Sequence, residues 1–177
     1  MLEALAGLPH EIDDAWQSEE SGWHPYRAVT PDSPFLERVY GAIPNGVGDP
    51  AALRRFFERE EVWGCMGTKH TPEVVRRFAS TTPGGVDKVS KAKRLHPNGL
   101  CPTLRAGTSK EKGSYQAVRP IHYSAPRVIT PREAARLQGF PDWFVFHSTK
   151  WHSFRQIGNS VPPLLAERLL RIIHDRL

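Results

Sequence analysis

The run Thr130-Pro131-Arg132-Glu133 dictates more local structure than any other part of this chain. Thr130 at the N-cap can accept from the amide of Glu133, and the Glu133 carboxylate can reach back to the Thr130 N–H. Pro131 then falls at the first helical position, where no amide donor is needed. Ala134, Ala135 and Leu137 continue the helix, and Gly139 with Pro141 stops it. The spacing predicts a helix of about two turns over 131–138. So firm a start matters because the chain is otherwise full of breakers: 14 Gly and 16 Pro in 177 residues mark many turns and irregular segments. With 39% hydrophobic and 10% aromatic residues a real core can still be buried, which excludes collagen-like and wholly disordered folds.

Other elements are shorter or less certain in their bounds. Residues 1–50 are punctuated by Pro9, Pro25, Pro31, Pro34 and Pro44 and read as mostly extended, with a short helix near Phe35 to Tyr40. Asp49-Pro50 opens a helix running to about Glu60, with Leu53, Phe56 and Phe57 on one face. Thr71-Pro72-Glu73 opens another, with Val74, Val75 and Phe78 inward. Residues 115–123 and 127–130 contain β-compatible runs, but Pro120 and Pro126 confine them to edge or irregular strands. Residues 156–163 read as a loop feeding a final helix, where Leu165, Leu169, Ile172 and Ile173 make an i, i+4, i+7, i+8 stripe. That stripe must pack on something, in this chain or another. The Thr-Pro dipeptide recurs at residues 30, 71, 82 and 130 without a period, so no internal repeat is present.

The net charge of +5 hides an asymmetry. Residues 1–50 carry −7, residues 51–113 carry +7 and residues 114–177 carry +5. A basic body behind an acidic leader suits a polyanionic partner, nucleic acid above all, although a solvated surface with ordinary imbalance gives the same totals. The basic residues concentrate in Lys88, Lys91, Lys93 and Arg94 and again from Arg105 to Lys112, in Gly-, Ser- and Thr-rich loops. Such loops can donate to phosphate oxygens, and Arg can fork onto a guanine edge. No membrane span is expected, because the greasiest region, 163–173, is interrupted by Glu167, Arg168 and Arg171. The N-terminus does not resemble a secretory signal, so a cytoplasmic location is expected. Cys65 and Cys101 are too few for a disulfide framework and fit reduced thiols. No metal site is expected: the eight His are scattered, and Cys65 with His70 lacks two further ligands.

Two segments near the end carry a resemblance. Residues 127–142, reading Arg-Val-Ile-Thr-Pro-Arg-Glu-Ala-Ala-Arg-Leu-Gln-Gly-Phe-Pro-Asp, and residues 156–163, reading Gln-Ile-Gly-Asn-Ser-Val-Pro-Pro, resemble the ninth and tenth sequence blocks of the DNA (cytosine-5) methyltransferases, in order and at the family's spacing. Upstream, Pro102-Thr103-Leu104-Arg105 looks like the Thr-Leu element of that family's target recognition domain, and Met1 to Pro9 looks like the sequence just after its eighth block.

The resemblance implies an α+β chain in three parts. Residues 1–50 would be an acidic linker following the catalytic half. Residues 51–126 would be a loop-rich target recognition domain with short irregular strands. Residues 127–177 would hold a scaffold helix, a cofactor-wall loop and a final helix, which in the family complete a Rossmann-like methyltransferase domain. It implies contact with S-adenosylmethionine at Asn159 and Ser160, against the alternative that these two merely cap the last helix. Thr103 would lie near the backbone of an extruded nucleotide. Arg105, Lys88, Lys91, Lys93 and Arg94 are assigned to double-stranded DNA from their chemistry, and Thr130, Glu133 and Arg136 to structure.

No residue of this chain is assigned to catalysis. In the family a base is flipped from the duplex, a cysteine thiolate adds to C6, a carboxylic acid supports N3, and the methyl group goes to C5. The cofactor turn, the Pro-Cys nucleophile loop, the Glu-Asn-Val acid and the Gln-x-Arg-x-Arg segment that do this are absent here, and Cys101 is followed rather than preceded by Pro. The chain is therefore expected to be the C-terminal part or subunit of such an enzyme, inactive without an N-terminal partner. The alternatives are a stand-alone DNA-binding module, which would bury its terminal stripe internally, and an inactive remnant, which would expose that stripe and aggregate.

Overall fold

The computed structural model describes residues 1–10, 12, 22–27, 30, 33–41, 43–105 and 119–177. Helix α1 (Leu2–Leu5) buries Leu5. Strand β1 (Trp23–Pro25) precedes helix α2 (Pro34–Val39), whose N-cap Ser33 accepts from the Leu36 amide. Helix α3 (Pro50–Glu58) starts at Asp49, whose carboxylate accepts from the Ala51 and Ala52 amides. It stops short of Glu60 because that residue turns left-handed, at φ 53°, and leads into strand β2 (Glu61–Trp63). Helix α4 (Pro72–Ser80) is capped by Thr71. After residue 119 come α5 (Pro131–Leu137), α6 (Lys150–Asn159) and α7 (Pro163–His174).

Helical geometry corrects two expected faces. Successive residues point about 100° apart, so Phe56 can be buried while its neighbour Phe57 is 64% exposed. In α4, likewise, Phe78 is buried with Val74 packed against its cluster, and Val75 faces outward. Residues 156–159, expected in a loop, are the last turn of α6, leaving 160–162 as the connector to α7.

The sheet lies where no strand was expected. β1 and β2 pair antiparallel, Trp23 opposite Trp63, His24 opposite Val62 and Pro25 opposite Glu61. The expected strand runs contribute only single-residue pairings among the described residues, Ile121 with Arg94 and with Val128, because the prolines flanking Ile121 and Val128 cannot extend a ladder. The rest of that region, 106–118, lies outside the described residues. The leading segment, expected as mostly extended, holds α1, β1 and α2 among its described residues.

α5 is the centre of the fold. Both hydrogen bonds of its capping box are made, and Pro131 through Arg136 are all buried. Around it Leu95, Ile129, Ala134, Ala135, Phe154 and Ile157 form one apolar cluster. A second joins Phe56, Val62, Cys65 and Trp143, and a third joins Phe78, Ala92 and Ile121. Arg132 ties α5 to β2: its amide donates to the Gly64 carbonyl at 2.9 Å and its Nε to Trp63 O at 2.7 Å. This approach needs a glycine at 64, where φ is 95° and a Cβ would lie 3.1 Å from the Arg132 nitrogen.

Candidate functional site

The basic loop after α4 is a tight turn. Val86 pairs with Lys93, the Asp87 amide donates to Ala92 O at 2.8 Å, and the Lys91 amide donates to Asp87 O at 2.9 Å. Lys91 takes a left-handed φ of 60°, which closes the turn. Lys88, Lys91 and Lys93 all face solvent. Arg94 does not, and its assignment to DNA contact is corrected. It is buried, with Nη1 donating to the carbonyls of Phe78, Ala79 and Thr81, Nε to Tyr123 O and Nη2 to Ser124 O. Alternation about the Val86–Lys93 pairing turns residue 94 inward, where Nη1 serves the carbonyls left at the end of α4 while Nε and Nη2 tie that end to residues 123 and 124.

Thr103 and Arg105 are exposed on either side of Leu104, which packs against the Leu95–Ile157 cluster. That cluster therefore packs together the Thr-Leu element, Leu95 just after the lysine turn and the last turn of α6. Lys110 and Lys112 lie outside the described residues.

At the α6–α7 elbow Asn159 is exposed. The Ser160 hydroxyl donates to Ile157 O at 2.7 Å, and the Gln138 amide nitrogen donates to Ile157 O and Ser160 O at 3.3 and 3.4 Å. α7 begins after Pro162 with no side-chain cap, so the last helix does not use either residue as its cap. Asn159 offers an outward amide, and Ser160 keeps lone pairs free to accept. This donor and acceptor set suits one polar wall of a small-molecule site.

The remaining titratable groups inside are structural in geometry. Glu133 accepts the forked Arg127 guanidinium at 2.7 and 2.9 Å and the Thr130 amide at 2.7 Å. Burial pushes its carboxyl up, but these donors win and hold it below the usual range. His122, 3.6 Å from Glu133, accepts at Nδ1 from the Ser124 and Ala125 amides, and burial drives it down to about 4. Arg136 pairs with Asp142 and donates to the Ala4 and Ala6 carbonyls, which is what folds α1 back onto α5. Burial pushes the thiol of Cys65 up to about 12 and that of Cys101 up to about 11, so neither forms a thiolate nucleophile at neutral pH. Arg132 gave no signal in sequence, since its Nε partner, the Trp63 carbonyl, lies 69 positions away, whereas the partners of His122 at 124, 125 and 133 are local.

α7 buries no residue. Leu164 at its root rests near Gly139, and Glu167 pairs with Arg38, but Leu165, Leu169, Ile172 and Ile173 are 40–55% exposed. The stripe expected to need a partner has none among the described residues. No helix among the described residues is long and apolar enough to cross a membrane, and no His, Cys, Asp and Glu group among them is placed to hold a metal.

The family model for C-5 cytosine-specific DNA methylase matches residues 52–175. Type II methyltransferase M.XorII of Xanthomonas oryzae is 57% identical over 131 residues, 72% of this chain and 31% of that protein. M.DdeI of Desulfomicrobium norvegicum is 28% identical over 192 residues, 80% of this chain and 44% of that protein. A crystal structure described as a DNA modification methyltransferase encoded within an E. coli prophage superposes with a TM-score of 0.84 at 49% identity, covering 97% of this chain and 45% of that one. The chain thus spans less than half the length of each of these three relatives. On the family match over residues 52–175, and with the capping box and the α6 elbow inside it, the chain belongs to the C-5 cytosine-specific DNA methylase family.

Proposed function

We propose that this chain is the C-terminal part or subunit of a DNA (cytosine-5) methyltransferase, which binds target DNA and closes the S-adenosylmethionine site while an N-terminal half supplies the nucleophilic cysteine. The observation that carries this is α7: a helix with no buried residue and an apolar stripe in water, on a chain spanning 31% of M.XorII and 45% of the prophage structure. An apolar face of that kind marks an interaction surface. The raised pKa values of buried Cys65 and half-buried Cys101 also favour a nucleophile from elsewhere.

Within this assignment α5 is a scaffold, with Thr130, Glu133 and Arg136 fixing its ends. Asn159 and Ser160 form the cofactor wall, and the bound cofactor is the methyl donor. Lys88, Lys91 and Lys93 with Thr103 and Arg105 hold the DNA backbone, as exposed cations and hydroxyls do. The 1–50, 51–126 and 127–177 parts serve as connection, recognition and closure, and the C-terminal helices complete a Rossmann-like domain of the partner half.

The test mixes the chain with the N-terminal half of a family member, duplex DNA and methyl-labelled cofactor. Methylation that neither part gives alone is expected. No activity, with both parts folded and associated, would overturn the split-enzyme assignment. A stand-alone DNA-binding module is disfavoured by the exposed α7 stripe, since such a module would bury it.

A further inference from the structure

The lysine turn is built more firmly than a solvated loop requires. Asp87 is buried at its base, accepting both branches of the Arg77 guanidinium at 2.9 and 3.2 Å and the Ser90 amide and hydroxyl at 2.7 and 2.6 Å. Burial alone would raise this carboxyl, yet these donors bring it down to about 2, so the clamp is charged throughout the neutral range. The turn therefore holds one shape before any partner arrives.

On that frame stand two apolar side chains facing water, Val86 at 51% and Val89 at 61% exposure. Scattered exposed apolar residues are ordinary. Here, however, both sit on a rigid turn among three exposed lysines, none paired with a carboxylate among the described residues. Valine is stiff at χ1, so ordering it against a partner loses little entropy. The three cations call for a polyanion and disfavour an apolar protein surface. The apolar group a DNA duplex offers on a base edge is the thymine C5 methyl, which lies in the major groove.

We propose that the 86–93 turn enters the major groove of target DNA, where Val86 and Val89 contact thymine methyl groups while Lys88, Lys91 and Lys93 hold the flanking phosphates. This rests on the DNA-binding assignment made above and adds the chemistry of the base edge that is read. The lysines supply affinity without sequence information, and the valines supply discrimination between thymine and a base lacking the methyl.

The experiment selects sequences from a randomised duplex pool with the 177-residue chain, then replaces each thymine of the enriched duplex by uracil, which deletes the methyl alone. One or two replacements are expected to weaken binding roughly fourfold each, the factor for burying one methyl group. In Val86→Ser/Val89→Ser that penalty vanishes, while the dependence on salt stays as in the parent. Equal affinity for thymine and uracil duplexes, enrichment of no sequence, or an unchanged penalty in the double variant would each overturn the thymine contact while leaving DNA binding intact. Absence of binding to any duplex by a folded chain would overturn the DNA assignment as well. If the double variant binds DNA normally but no longer associates with an N-terminal methyltransferase half, the valines face protein and the proposal fails.

Discussion

Arg136 and Asp142 pair across the turn that ends α5, with both side chains fully buried and Arg136 Nε 3.1 Å from Asp142 Oδ1. The same guanidinium reaches the carbonyls of Ala4 and Ala6, so one side chain closes the α5 turn and anchors the N-terminal helix.

Breaking this pair from one side leaves a buried charge short of its main partner, since only Arg132, 3.7 Å from Asp142, shares the site. Asp142→Ala or Arg136→Met should destabilise the chain by about 3–5 kcal/mol, a large share of the roughly 5–15 kcal/mol a domain possesses. Arg136→Met/Asp142→Leu should recover only part of the loss, because buried Arg132, 3.7 Å from Asp142, then lacks its carboxylate and the Ala4 and Ala6 carbonyls lack their donor. Urea unfolding midpoints of the three variants check this. Limited proteolysis adds a local readout, since only variants lacking Arg136 should expose residues 1–10 to cleavage.

His122 gives the stability a pH dependence of known sign. Its Nδ1 is occupied as an acceptor, and burial depresses the imidazole to about 4 despite Glu133, with Arg127, His10 and Arg94 adding repulsion. Below about pH 6.5 the unfolded chain takes up a proton that the folded chain refuses. Stability is thus whole above pH 6.5 and lost as pH falls towards 4, by about 2–3 kcal/mol at pH 4.5. Glu133 and Asp87, both depressed acids, add their own loss only at lower pH. Unfolding midpoints between pH 7 and 4.5 should fall for the parent and fall less for His122→Asn, which keeps an acceptor but cannot take the proton. Equal slopes would refute the assignment to His122.

Arg94 and the lysines beside it should separate cleanly. Arg94→Met strips donors from five carbonyls and should destabilise by about 3 kcal/mol or more. Lys88→Ala and Lys93→Ala, at exposed sites, should stay within about 0.5 kcal/mol. For DNA binding the order reverses, and each lysine removed should lower the slope of log affinity against log salt by about 0.9 if it neutralises one phosphate. A stable Arg94→Met with a reduced salt slope would restore Arg94 to the DNA surface.

What the sequence made legible was what its neighbours in sequence decide. The capping box of Thr130 and Glu133, the Asp49 and Thr71 caps and the Gly139 stop are settled within a few residues, and the structure contains them all. The β1–β2 pairing joins residues about forty positions apart, and no periodicity in three-residue strands announces it. Arg94 follows the same rule: its cluster is basic in sequence, but whether a member faces out is decided by the Val86–Lys93 pairing and by the carbonyls of α4. At the α6 elbow Gly158 and Asn159 are poor helix formers, and packing of Phe154 and Ile157 in the cluster with Ala134 and Ala135 of α5 overrides them.

The α7 stripe yields the prediction that bears most on function. Leu169 is 50% exposed and Ile173 is 55% exposed, so Leu169→Glu/Ile173→Glu should change the stability of the free chain by no more than about 0.5 kcal/mol per site. Leu164→Ala, at the root of the helix against Gly139, should instead weaken the free chain itself. Once an N-terminal half is added, the order inverts. Burial of the two side chains is worth roughly 1.5–3 kcal/mol each, so the double variant should associate about a hundredfold more weakly or worse, and methylation by the mixture should fall with it. Sedimentation or titration calorimetry measures the association, and labelled methyl transfer measures the activity. If the double variant unfolds on its own, the stripe is already covered in the free chain, by a second copy for example, and α7 is not the seam between the two halves of the enzyme.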